Sequence, residues 1–284
     1  IVNALLSKRY VDINVRNDAG RTPIFLGCST GCVSIVHTFL KAGRADVEIP
    51  DSVGGTPLLI AAYQGEADII RLLLTTVAVK VDMRDHEGRT ALAWAANNGH
   101  EEAIRSLLDL AQVEVNTRDS YGLTPLCLAA NGGHDNVAYL LLNTTGVDTE
   151  VKDDGGRTAL ALAAMTGAFR IVQLFLNDHR ANIHARDTEG KTPFLLAAER
   201  GRKDVVRLLL STCYVDVDGR DSHGRTALSL AAGAGQEGMV RFLLEYGRAN
   251  AHARDYQGRK AIWWAATRSD DDWRIVELLQ EAMT

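Results

Sequence analysis

With 284 residues, 46% of them hydrophobic and 24% charged, the chain has the balance of a folded globular protein, which excludes a disordered tail or linker. A formal net charge of −5 excludes a surface built to neutralise many phosphates, so nucleic acid is set aside as a partner. No apolar run approaches the roughly 20 residues that span hydrocarbon, and no membrane span is expected.

In chain order, Ile1 to Arg16 reads as a partial repeat. A helix carrying Ile1, Val2, Leu5 and Leu6 leads into a short finger strand at Val11-Asp12-Ile13-Asn14, and the helix that would precede it is expected upstream. Ile1 to Tyr10 shows neither a basic leader nor a small-residue cleavage site, so the chain reads as a monomeric, untargeted fragment of a longer polypeptide. From residue 17 the sequence repeats every 34 residues, with units starting near 17, 51, 85, 119, 153, 187, 221 and 255. A glycine recurs from Gly20 through Gly54 to Gly258. Three residues earlier stands an aspartate, Asp51 through Asp255, replaced by Asn17 in the first unit.

Each column has a physical reason. Asp-x-x-Gly is turn chemistry: the carboxylate accepts from the amides that follow it, and glycine supplies a positive φ, which makes a tight finger. Thr22, Thr56, Thr90, Thr124, Thr158, Thr192 and Thr226 then cap a helix, with Pro23, Pro57, Pro125 and Pro193 at its first position. A small pair such as Ala61-Ala62 lets neighbouring helices approach closely, with Gly27-Cys28 the departure. A second glycine column, Gly31 through Gly235, ends this helix. The next helix carries an apolar stripe at i, i+1, i+4, i+5, for example Ile69-Ile70-Leu73-Leu74 or Val205-Val206-Leu209-Leu210. One unit cannot bury that stripe alone, so the repeats are expected to stack into one elongated domain spanning 1–284. In the last unit Lys260 replaces the capping threonine, Ser269 replaces glycine and Asp270-Asp271-Asp272 lengthen the turn. That polarity suits a C-terminal cap.

Asp-x-x-Gly-x-Thr-Pro-Leu, then Ala-Ala-x-x-Gly-His, then a Val-x-x-Leu-Leu helix resembles the ankyrin repeat across essentially the whole chain. The resemblance implies an all-α solenoid of stacked helix-turn-helix units with short β-hairpin or turn fingers. The sequence departs from the family's Thr-Pro-Leu-His, since the histidine position holds Phe25, Leu59, Ala93, Cys127, Ala161, Leu195, Ser229 and Trp263. The 34-residue spacing is similar to that of arrays appended to NACHT-type signalling ATPases.

Catalytic and ligand chemistry find little support. Gly233-Ala234-Gly235-Gln236-Glu237-Gly238 matches G-x-G-x-x-G but joins two helices, without the strand that phosphate cradling needs. His100 and His134 lie one repeat apart, about 8 to 10 Å on stacked helices, too far to share a metal. Side chains of one column point alike and do not converge as a catalytic set must. The chain is read as non-enzymatic, with no cofactor. Four scattered cysteines, Cys28, Cys32, Cys127 and Cys213, fit a reducing, cytoplasmic setting. Asn14 and Asn116 resemble hydroxylation sites of ankyrin loops, against the plainer reading that they complete the finger.

The resemblance implies that a ligand meets the concave side, made of finger tips and the exposed ends of first helices. Transferred through the register, the candidates are Tyr63, Gln64, His86, Glu87, Arg89, Tyr121, Leu123, Arg157, Met165, Lys191, Arg200 and Arg225. The residue after each finger glycine is Arg21, Gly55, Arg89, Leu123, Arg157, Lys191, Arg225 or Arg259. Two readings of this basic column stand side by side: it answers the finger aspartates in solvated pairs, or it forms a ladder for an acidic peptide. Trp94 and Trp264 share a column with Ile60, Leu128, Leu162, Leu196 and Leu230, and are expected in the core. Tyr63, Tyr121 and Leu123 are large side chains that the core does not claim, and a groove centred on them is expected to bind a protein or peptide partner for a larger signalling protein. Alternatives are an array that packs on its own upstream domain and restrains it, and a small-molecule site, which an open groove rarely offers.

Overall fold

The computed structural model describes residues 11–212, 214–267 and 273–284. The helix expected over Ile1–Leu6, Cys213, and the turn substitutions at Ser269–Asp272 lie outside these residues. Among the described residues there are sixteen helices in eight pairs. The first four pairs are α1 (Pro23–Ser29) with α2 (Val33–Lys41), α3 (Pro57–Gln64) with α4 (Ala67–Thr76), α5 (Ala91–Asn97) with α6 (Glu101–Leu110), and α7 (Pro125–Gly132) with α8 (Asp135–Leu142). The second four are α9 (Ala159–Thr166) with α10 (Phe169–Asp178), α11 (Pro193–Glu199) with α12 (Lys203–Ser211), α13 (Ala227–Gly233) with α14 (Glu237–Glu245), and α15 (Ala261–Ala266) with α16 (Arg274–Glu281). The chain divides into two compact units, Ile1–Asp148 and Thr149–Thr284. Within each, first helices pack on first helices and second on second, as a solenoid requires.

Helix starts follow the threonine column. Thr56 Oγ1 accepts from the Leu59 amide at 3.3 Å, and six other threonines repeat the bond. Lys260 makes no such bond, and its helix, α15, has only six residues. All seven glycines of the second column are left-handed, from Gly201 at φ 68° to Gly167 at φ 87°. The Ala61-Ala62 pair is fully buried, as are Ile69, Ile70 and Leu73 of α4, whereas Leu74 is half-buried at the edge of the stripe. Burying one such aliphatic side chain contributes roughly 1.5–3 kcal/mol, and the interior repeats do so on both flanks. Gly27 departs from the alanine pair because a Cβ there would lie 3.1 Å from Val36 Cγ2 and 3.3 Å from Ile35 Cγ2 on α2.

The fingers are turns. Among the described residues there is one isolated β-bridge, between Arg254 and Lys260, and no sheet. In the second finger the Gly54 amide donates to the Asp51 carbonyl and the Asp51 amide to the Gly55 carbonyl. Within each unit, successive fingers are joined by one backbone bond each. His86 N donates to Val53 O at 3.0 Å and Ser120 N to Glu87 O at 2.8 Å in the first unit, while Thr188, Ser222 and Tyr256 amides do the same in the second. This junction gives the finger glycine a second reason beyond its φ: a Cβ on Gly54 would stand 2.9 Å from the His86 amide nitrogen.

Candidate binding face

The finger aspartates set the geometry of this face. Asp119 is representative: its Oδ1 accepts the amides of Tyr121 and Leu123, each at 2.9 Å, and so fixes the tip that carries both side chains. The carboxylates sit out of solvent, with side-chain exposure of 3% or less at Asp51, Asp119, Asp153, Asp221 and Asp255. Buried charge demands a partner, and the basic column supplies it.

Which aspartate each cation serves follows a rule. In the second unit Arg157, Arg225 and Arg259 turn back on the aspartate of their own finger, with Nε to Oδ2 distances of 2.8, 2.7 and 2.8 Å. In the first unit the column is broken at Gly55 and Leu123, and the arginine of the preceding repeat reaches forward instead. Arg21 Nε meets Asp51 Oδ2 at 3.4 Å and Arg89 Nε meets Asp119 Oδ2 at 3.2 Å. Lys191 is the exception, since its ammonium bonds Glu199 at 2.8 Å and pairs with Glu189 at 3.0 Å. Burial works against the Lys191 charge, but the bonds to Glu199 and Glu189 outweigh it and hold its pKa above the ordinary lysine value. The reciprocal bond from Lys191 lowers the Glu189 carboxyl. The column therefore answers carboxylates, as the first of the two readings expects, although the aspartate half of each pair is buried instead of solvated.

The tryptophans correct an expectation. Trp94 and Trp264 are half-buried instead of in the core, because each indole turns toward the finger nine residues before it. Trp94 Nε1 donates to Asp85 Oδ2 at 2.6 Å and Trp264 Nε1 to Asp255 Oδ2 at 3.2 Å. A guanidinium lies over each ring: Arg89 at 4.5 Å from the Trp94 centroid, Arg259 at 4.3 Å from that of Trp264. Of the column partners, Leu128, Leu162, Leu196 and Leu230 have no polar atom to satisfy and stay buried, while Ile60 is half-buried.

Tyr63, at the end of α3, is 42% exposed and meets Trp94 edge to face at 5.0 Å. Tyr121 is 61% exposed on its tip, and Leu123 is half-buried behind it. Gln64, His86 and Glu87 are exposed near them, Glu87 pairing with Arg89 at 3.1 Å. In the second unit Met165 is half-buried with its sulfur 3.8 Å from an Arg157 nitrogen, and Arg200 is exposed at the end of α11. A hollow of about 440 Å³ opens in the first unit among Phe25, Asp51, Ile60, Tyr63, Asp85 and Trp94, with Arg21 and Gly55 also on its wall.

Other polar columns hold repeat to repeat. His100 and His134 place Nε2 against the carbonyls of Tyr63 and Asn97, at 2.9 and 2.8 Å, and Arg202 donates to Met165 O in the same register. Asn14 and Asn116 bridge to the next finger: Oδ1 accepts the amides of Asp46 and Asp148, and Nδ2 donates to the carbonyls of Arg44 and Gly146. A third column, the arginine of Arg84-Asp85, Arg118-Asp119, Arg186-Asp187, Arg220-Asp221 and Arg254-Asp255, reads from the sequence as finger hydrogen bonding. Arg84, for one, donates to Arg118 O at 2.7 Å, and Arg186 to Arg220 O at 2.7 Å. Among the described residues no cluster of three or more His, Cys, Asp or Glu could hold a metal ion, and no helix is long and apolar enough to cross a membrane.

A family model described as ankyrin repeats (3 copies) matches residues 1–85, 76–153, 141–221 and 213–283. Among solved structures, the ankyrin repeat domain of Bcl-3, described as a unique member of the IkappaB protein family, aligns with a TM-score of 0.66 and 28% identity. The alignment covers 75% of this chain and 95% of that one. No curated protein sequence matches significantly. Ankyrin repeats are in general protein–protein interaction modules, typically without enzymatic activity. By its repeat chemistry, its stacked helix pairs and a family match over nearly its whole length, the chain belongs to the ankyrin-repeat family.

Proposed function

We propose that this chain is a non-enzymatic recognition module that binds a protein or peptide on the concave face formed by its finger tips and first-helix ends, within a larger signalling or regulatory protein of a reducing, intracellular compartment. The observation that carries the reading is the exposure of Tyr63 and Tyr121 beside half-buried Leu123, on a face whose basic column is already paired. Aromatic anchors of this kind dominate interface energetics. The paired basic column weighs against an acidic peptide held by a charge ladder, because its cations are already committed to Asp51, Asp119, Asp153, Asp221, Asp255 and Glu199. The buried free thiol of Cys28 supports a reducing setting.

The test is affinity capture from cell extract with this chain beside the Tyr63→Ala, Tyr121→Ala, Leu123→Ala triple variant, followed by titration of each recovered protein, purified, against both. A partner whose affinity falls about 100-fold or more in the variant supports the reading. Equal affinity for both chains would refute it.

A further inference from the structure

Gly55 is the one member of the basic column with no side chain. Turn geometry does not require glycine there: the left-handed residue of the finger is Gly54, at φ 86°, and Gly55 is not among the glycines of positive φ. Where Arg157, Arg225 and Arg259 occupy the column, each turns back on the aspartate of its own finger. In the last repeat Arg259 bonds Asp255 Oδ2 at 2.8 Å while its guanidinium lies 4.3 Å from the centre of the Trp264 ring. In the second repeat Asp51 Oδ1 is filled by the amides of Val53 and Gly55, but Oδ2 has only Arg21, at 3.4 Å and on a side chain 43% exposed. Asp85 alongside accepts the Trp94 indole, and among the described residues no cation lies within 4 Å of it. The other break in the column differs, because Leu123 fills its own place and Arg89, only 13% exposed, covers Asp119 more closely. The consequence of Gly55 is the hollow of about 440 Å³, with two aspartates against one arginine on its wall and the exposed ring of Tyr63 at its side.

We propose that this hollow receives an arginine side chain from an exposed segment of the partner protein, its guanidinium taking the place that Arg157, Arg225 and Arg259 hold in their own repeats: against Asp51 Oδ2 and beside the Tyr63 and Trp94 rings. The inference rests on the reading of this face as the binding surface. Arginine is favoured over lysine because a planar guanidinium meets a carboxylate edge-on while lying against an aromatic ring, which an ammonium does less well.

The test is an NMR titration of the whole chain, reading the Trp94 indole N–H, with the capped peptide acetyl-Gly-Ser-Arg-Ser-Gly-amide and its neutral citrulline counterpart. A saturable shift with the arginine peptide is expected, with binding of the citrulline peptide weaker by about tenfold or more. Gly55→Arg should abolish the shift by supplying the side chain internally, and its melting temperature should not fall, since other repeats carry arginine at this register. Gly55→Leu, the residue type of the fourth repeat, should block without adding charge. The proposal is overturned if the two peptides bind alike, if neither shifts the indole up to about 10 mM, or if both fillers leave binding unchanged. A partner that depends on Tyr121 and Leu123 yet binds Gly55→Arg as it binds the native chain would also overturn it, while leaving the proposed function standing.

Discussion

Replacing Asp119 with alanine separates the two forces that hold a finger. The Asp119 side chain is fully shielded and joins two backbone amides through Oδ1 and Arg89 through Oδ2. Alanine leaves both amides without their charged acceptor, at about 1–3 kcal/mol for each group left unsatisfied, reduced where water can enter from the tip. Arg89 retains Glu87 at 3.1 Å and the Trp94 ring, so its loss is smaller. The expected total is about 3 kcal/mol. Arg89→Met, which removes the ion pair but keeps both amide bonds, is expected to cost about 1 kcal/mol. Urea unfolding followed by circular dichroism measures both, and amide exchange at Tyr121 and Leu123 localises the damage, because in a repeat array destabilisation stays near its source. The reasoning fails if Arg89→Met costs as much as Asp119→Ala, which would make the ion pair the principal restraint, or if exchange at those two amides does not change.

Thr158→Ala removes the hydroxyl that accepts from Ala161 N at 3.3 Å, and should lower stability by about 1 kcal/mol in the same unfolding assay. His179 ends α10 at φ 60°, a left-handed conformation that glycine adopts without steric cost, so His179→Gly should raise stability by about 0.5–1 kcal/mol, seen as a higher melting temperature. Burial alone would raise the Asp255 carboxyl, yet the amides of Arg259 and Gln257 and the Arg259 guanidinium together hold it below the ordinary aspartate value. Its folded pKa lies under the unfolded one, so its contribution is complete above about pH 4 and disappears as pH falls through the folded value. Exchange protection at Gln257 and Arg259 should therefore fall with acidification below about pH 4, and in Asp255→Asn the same protection should show little dependence on pH over that range.

The repeat architecture was legible because its signals are local. A threonine three residues before the amide it caps, an aspartate two and four residues before the amides it accepts, and a glycine in a left-handed turn all act within one helical turn of chain. Recurrence every 34 residues then requires stacking, since no single pair can bury its stripe. The candidate face was legible in part. Tyr63 and Tyr121 are exposed where the register put them, but the tryptophans were misread because Trp94 and Leu128 share a column, and only the packed neighbours show that an indole N–H can reach the Asp85 carboxylate nine residues back.

The sequence by itself determined the unit, its caps, its turns and its buried stripe, because these depend on residue type and short spacing alone. Tertiary structure decided which carboxylate each arginine serves, forward by 30 residues at Arg21 and Arg89 or back by four at Arg157, Arg225 and Arg259. It also decided that the break at Gly55 opens a hollow while the break at Leu123 closes. Both outcomes turn on the distance between groups in different repeats, and that distance is set by stacking, not by any property of one 34-residue unit read alone.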